Sequence, residues 1–134
     1  MAGFVPNEGE TLIAQVVHKR THVDRDANLE LGLFLNSSVS ETTVLGDLVE
    51  PTGTGYARKT LTDASWTVTG DNASYATQQF VGGVGGWTGP IYGYFVATKA
   101  AGGTPRLLFL ELAATPFTLN SLDTYDVTLS ISYA

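Results

Sequence analysis

The sequence predicts a mainly β protein, an antiparallel, jelly-roll-like β-sandwich with one short N-terminal helix. Leucines recur at every second position from Leu29 to Leu35, and apolar and polar residues alternate strictly through Tyr125–Tyr133, the period of a half-buried strand. Between them lie short runs rich in Thr, Val, Tyr and Phe, punctuated by Gly, Pro, Asn and Asp. Apolar residues repeat at helical spacing only near the start.

In order along the chain, residues 1–6 read as an arm and 7–19 as the helix. Asn7 offers a cap with Glu10 three residues on, and Leu12, Ile13, Val16 and Val17 share a face. Acids at its start and His18, Lys19 and Arg20 at its end suit the helix dipole. "LELGLFLN" is the first strand, with Leu29, Leu31, Leu33 and Leu35 on one side and Glu30, Gly32, Phe34 and Asn36 on the other. The Ser/Thr-rich stretch to Gly55 reads as a surface excursion with a short helical or extended piece around Val44–Val49. "YARKTLT", "SWTVT", "ASYATQQFV", "PIYGYFVAT" and "PRLLFLEL" follow as strands, with turns at "GDN" and "KAAGGT". The last strand, around Val127, Leu129 and Ile131, should have one wet and one buried face. Seven or eight strands and no internal repeat or linker make residues 1–134 a single sandwich domain.

The net charge of −6 repels a phosphate backbone, so no nucleic acid partner is expected. No run is apolar enough for a membrane, and no secretion signal stands at the start, which fits a bacterial or viral cytoplasmic product. The absence of cysteine excludes disulfides and thiolate chemistry.

"FVGGVGGWTGPIYGYF" lacks the Lys-Ser/Thr and following helix of a phosphate loop and reads as a hairpin tip. Gly93, inside a strand, marks a site where a bulky neighbour such as Trp66 or Tyr56 meets bare backbone. His18, His22, Asp24 and Asp26 fall within nine residues, but no HExxH pattern supports a metal, and a solvated helix exit is the expectation. These histidines are the only ones available as a nucleophile's base, and no GxSxG elbow exists. The carboxylate pairs Asp63/Asp71 and Glu111/Asp123 read as turn and edge acids. No catalytic residue, cofactor or metal is therefore expected. The rings Tyr56, Trp66, Tyr75, Trp87, Tyr92, Tyr94, Phe95 and Phe109 suit a core or subunit interface, with a glycan-stacking platform as the alternative. Trp87, at a glycine-rich tip, is expected to be exposed and to contact another chain.

The ordered series "VPNEGE", "LELGLFLN", "GYARKTL", "SWTV", "ATQQF", "IYGYFV" and "LLFLEL" resembles a family of small structural proteins of tailed bacteriophages, the capsid decoration or cement proteins. Its most specific pieces are "GYAR" (Gly55–Arg58) and "YGYF" (Tyr92–Phe95), with Trp66 between them. Tyr56, Trp66, Tyr92, Gly93 and Tyr94 form the structural motif of that resemblance. The resemblance implies a β-sandwich that forms a homo-oligomer, a trimer, on the outer surface of a virion, binding the major capsid protein and stabilising the head without catalysis. Similar series occur in tail and fibre proteins, so the alternative is a tail or fibre module that binds host glycan. The expected attachment elements are the arm, with Phe4 and Val5 as apolar anchors, and the excursion from Asn36 to Gly55. The "HKRTHVDR" segment and the longer "VGGVGGWTG" stretch depart from the family pattern.

Overall fold

Helix α1 (Asn7–Lys19) starts where the Pro6 carbonyl accepts the Glu10 N–H at 3.0 Å. Asn7 is thus the first helical residue and not the cap the sequence suggested, because buried Pro6 already provides the first acceptor. The computed structural model describes residues 3–19, 28–99 and 104–133. Strands β1 (Leu29–Phe34), β2 (Lys59–Leu61), β3 (Thr67–Thr69), β4 (Asn72–Val81), β5 (Ile91–Thr98), β6 (Leu107–Phe117) and β7 (Thr124–Ser132) follow.

Two antiparallel sheets result, one ordered β2-β1-β5-β6 and the other β3-β4-β7. They face each other across a core that joins Leu31, Leu33 and Val96 of the first sheet to Phe80, Val127, Leu129 and Ile131 of the second. Alternation along β7 is complete: Val127, Leu129 and Ile131 are buried, while Asp126, Thr128 and Ser130 are exposed. The arrangement is an antiparallel sandwich of four strands on three, without the eight strands of a jelly roll among the described residues. The stretch from Leu35 to Arg58 accounts for the difference, since it provides loops and a 3-10 turn at Leu45–Asp47 instead of a strand.

That stretch is no free excursion. Leu45, Leu48 and Val39 pack with Phe34, Phe95, Ala97, Leu107 and Leu110 in a second cluster on the outer side of the first sheet. The Asn36 side-chain amide pins the loop, donating to the Asp47 carbonyl at 2.9 Å and accepting from the Val49 N–H at 2.8 Å. Consequently the first sheet is covered on both faces and the second on one, which is why β1 is buried at every position from Leu31 to Phe34.

The arm closes the same outer cluster. Phe4 exchanges backbone hydrogen bonds with Leu110 of β6, at 2.9 and 3.1 Å, and its ring packs against the outer cluster. Glu8, in the first turn of α1, accepts the N–H groups of Leu107 at 2.7 Å and Leu45 at 3.1 Å, joining helix, edge strand and loop through one carboxylate. The strand β6 runs through "AATPF" beyond the predicted end, and Pro116 is tolerated because β6 is an edge.

Gly93 meets neighbours other than those expected. A Cβ there would collide with the Glu111 carbonyl and lie 2.8 Å from the Phe34 ring, not against Trp66 or Tyr56. Strand pairing explains it: Gly93 is directly opposite Phe34, while Tyr56 and Trp66 pack on the inner core.

Candidate functional site

Tyr56 and Arg58 of "GYAR" converge on one carboxylate. The Tyr56 ring enters the inner core, 5.1 Å from the Trp87 ring, and its hydroxyl donates to Glu50 at 2.8 Å while accepting the Leu33 N–H at 3.0 Å. Arg58 grips the same Glu50 through Nε and Nη2, the latter at 2.9 Å, and reaches Glu30 at 3.2 Å. Its guanidinium lies over the Phe95 ring at 5.2 Å. Burial, then the bond to Glu50, pushes the Tyr56 hydroxyl well above the usual tyrosine range. Burial alone would lower Arg58, but its hydrogen bonds and charge pairing with Glu50 and Glu30 raise it on balance.

The residues of "YGYF" divide between the two faces, with an irregularity between Ile91 and Gly93 that turns Tyr92 away from Tyr94. Tyr94 points inward, and its hydroxyl donates to Glu111 at 2.9 Å; Phe95 is fully buried in the outer cluster, and half-buried Tyr92 packs against that cluster. Burial, followed by the Glu111 carboxylate, raises Tyr94 as well. Trp66 is half-buried at the margin of the inner core, edge-on to Tyr75 at 5.1 Å, with a buried Nε1 that has no hydrogen-bond partner among the described residues.

Trp87 corrects the expectation of an exposed anchor. It is 5% exposed, set among Tyr56 and Phe80, with Nε1 donating to the Thr54 carbonyl at 2.8 Å. Glycine geometry is the cause: the Thr54 carbonyl sits where a side chain on Gly83 would be, so loop 52–55 lies flat on the tip and roofs the indole. Of the eight rings considered for glycan stacking, none is exposed.

Phe4 and Val5 are likewise half-buried, against the outer and inner clusters respectively. Among the apolar side chains that reach solvent, Val84 at 83% and Leu122 at 80% are the most exposed of the described residues, ahead of Val68 on β3 at 70%. Both belong to the end of the sandwich where loops 52–55, 82–89 and 118–123 meet. Backbone bonds cross-link these loops: Thr88 N–H to Thr52, Trp87 N–H to Leu119, Gly82 N–H to Asp123 and Leu122 N–H to Gly82, all at 2.8–2.9 Å. Leu122 holds a φ of 68°, a left-handed conformation that leucine rarely adopts. Asp123 is the single charged residue in the three loops, and its carboxylate accepts the Asn120 N–H within its own turn. The end is thus a rigid, nearly charge-free platform carrying two aliphatic knobs.

The titratable candidates do not gather. Asp63 borders a small cleft with Trp66 and Ile131, whereas Asp71 lies in the turn between β3 and β4. Glu111 accepts the Tyr94 hydroxyl, whereas Asp123 accepts the Asn120 N–H within its own turn, so the two acids are engaged separately. His18 is exposed beside a groove of about 680 Å³ between the arm, α1 and the end of β7, and His22, Asp24 and Asp26 lie outside the described residues. Among the described residues no group of three or more His, Cys, Asp or Glu is placed to hold a metal, and no helix is long and apolar enough to cross a membrane.

Sequence reasoning missed Glu8, which holds backbone amides 37 and 99 residues away, and Glu50, which holds Arg58 and the Tyr56 hydroxyl nearby in the chain. It also missed the platform residues Val84 and Leu122; a leucine in the turn "NSLD" between two strands was the available signal. Comparison with known proteins returns no match, whether to a family model, a curated protein or a solved structure.

Proposed function

We propose that the chain is a virion structural protein of the capsid-decoration type, a non-enzymatic homo-oligomer that stabilises the head of a tailed bacteriophage by binding the major capsid protein on its outer surface. The observation that carries this reading is the use to which its chemistry is put. Glu8, Glu50 and Glu111 hold amides, Arg58 and tyrosine hydroxyls within the fold, and the motif rings fill its two cores. Side chains spent on rigidity suit a protein that works by fit. The face it offers to the shell is the platform of Val84 and Leu122, where a protein of net charge −6 presents almost no charge and so meets an acidic neighbour without repulsion.

The test is a titration of purified protein onto emptied tailed-phage capsids stripped of their own decoration protein. Saturation at a copy number fixed by the shell's symmetry supports the reading. Absence of saturable binding together with retention on a host-glycan array would replace it with the tail or fibre reading.

A further inference from the structure

We propose that β7 pairs edge to edge, antiparallel, with β7 of a second copy of this chain, so that the β3-β4-β7 sheet runs on into its counterpart across a two-fold axis. This goes beyond the capsid reading and does not depend on it.

The sandwich has four edge strands, β2 and β6 in one sheet and β3 and β7 in the other. Three of them carry the devices that block pairing with another chain. Strands β2 and β3 are three residues long. The edge of β6 is bridged by Phe4 at Leu110, is held by Glu8 at Leu107, and contains Pro116. By contrast β7 is nine residues long, contains no proline, lysine or arginine, and has no covering strand among the described residues. The irregularity in its sheet is taken up by β4 between Tyr75 and Gln78, which leaves β7 evenly extended.

Backbone phase identifies the groups on offer. Tyr133 donates its N–H to Asp71, and Gly82 donates to Asp123, so at both ends of β7 the odd-numbered residues bond toward β4. Alternation then turns the N–H and C=O groups of Thr124, Asp126, Thr128, Ser130 and Ser132 outward.

The second copy is the occupant because the strand complements itself. Centred on Thr128, two antiparallel copies overlap along all nine residues, and each outward residue meets an outward residue. Thr128 faces its own copy, Asp126 faces Ser130 and Thr124 faces Ser132, while Val127 faces Leu129 beneath. Asp126 is the single charge on β7, so this register opposes no like charges. A centre at Asp126 would oppose two carboxylates and shorten the overlap. At the end of the strand Ser132 is exposed and lines the groove beside the arm and α1. The pair has two-fold symmetry, whereas the resemblance implies a trimer.

Because the chain has no cysteine, the register can be read by single-site cross-linking. Residues opposite each other in a hydrogen-bonded antiparallel pair have Cα atoms about 5.5 Å apart, within the roughly 4.4–6.8 Å a disulfide spans. Under mild oxidation Thr128→Cys should convert most of the protein to a covalent dimer and Thr124→Cys only a trace. The untreated protein should show twice its 14.2 kDa at high concentration and relax to 14.2 kDa on dilution. Ser130→Pro, which removes an outward N–H, should shift that transition to at least tenfold higher concentration. A monomer at every concentration overturns the proposal. So does a trimer or dimer in which Cys at 128 and at 124 cross-link equally or not at all.

Discussion

Phe34 lies directly opposite Gly93 across β1 and β5, and two residues along the same pair of strands Phe95 lies opposite Gly32. Each ring thus covers the bare backbone of the facing glycine, and the two exchanges interlock on the outer side of the sheet. Gly93→Ala should destabilise the fold by about 1–3 kcal/mol or more, because the new methyl meets the Glu111 carbonyl, which cannot rotate away. Gly32→Ala should cost less, since its obstacle is the Phe95 ring. Urea unfolding of both variants checks the order; a neutral Gly93→Ala would show that the strands do not approach as described.

The two tryptophans should respond differently to loss of the indole nitrogen. Trp87→Phe removes the donor that satisfies the Thr54 carbonyl and vacates buried space, an expected cost of about 2–3 kcal/mol. Trp66→Phe removes a buried N–H that has no partner among the described residues, so its cost should stay below about 1.5 kcal/mol. Equal losses in thermal unfolding would contradict the two environments.

The outline of the sandwich was legible in the sequence, and its second core was not. Period-two alternation locates β1 and β7 because each buries a face continuously, and turn residues separate the strands between them. Nothing local in "NSSVSETTVLGDLVEP" states that Leu45 and Leu48 fold back over Phe34, since that depends on Glu8 reaching Leu45 over 37 residues. Trp87 was misjudged for a related reason: its burial is made by loop 52–55, whose approach is invisible in the tip's own residues.

Alkaline pH should unfold the protein through its tyrosines. Tyr56 and Tyr94 are held above their ordinary value, chiefly by burial, so the unfolded chain releases these protons at lower pH than the native one. Their contribution is fully present below the ordinary tyrosine value of about 10 and is lost as pH rises from there through the raised native values. Chemical unfolding between neutral and strongly alkaline pH should show stability falling above pH about 10, with a shallower slope in Tyr56→Phe and Tyr94→Phe. At neutral pH Tyr56→Phe should itself cost about 1–3 kcal/mol, because the buried Leu33 N–H loses its acceptor. An unchanged slope in both variants would remove the tyrosines from the account.

The arm belongs to the fold. The sequence suggested residues 1–6 as an arm for attachment, with Phe4 and Val5 as its anchors. Phe4 is bonded to Leu110 in both directions, and the Pro6 carbonyl holds the first turn of α1, so the deletion should lower the melting temperature by several degrees before any partner is added. A truncated protein as stable as the full chain would free the arm for contact.

The central claim is that the aromatic and glycine residues of "GYAR", "YGYF" and the glycine-rich tip build the interior of the protein and do not form a binding surface. With Trp66 replaced by Phe, Trp87 is the sole tryptophan, and its fluorescence reports the point directly. The account predicts blue-shifted emission, resistance to acrylamide quenching and no response to a panel of host glycans. Emission at the wavelength of free tryptophan, quenched at the free rate and altered by a glycan, would contradict it.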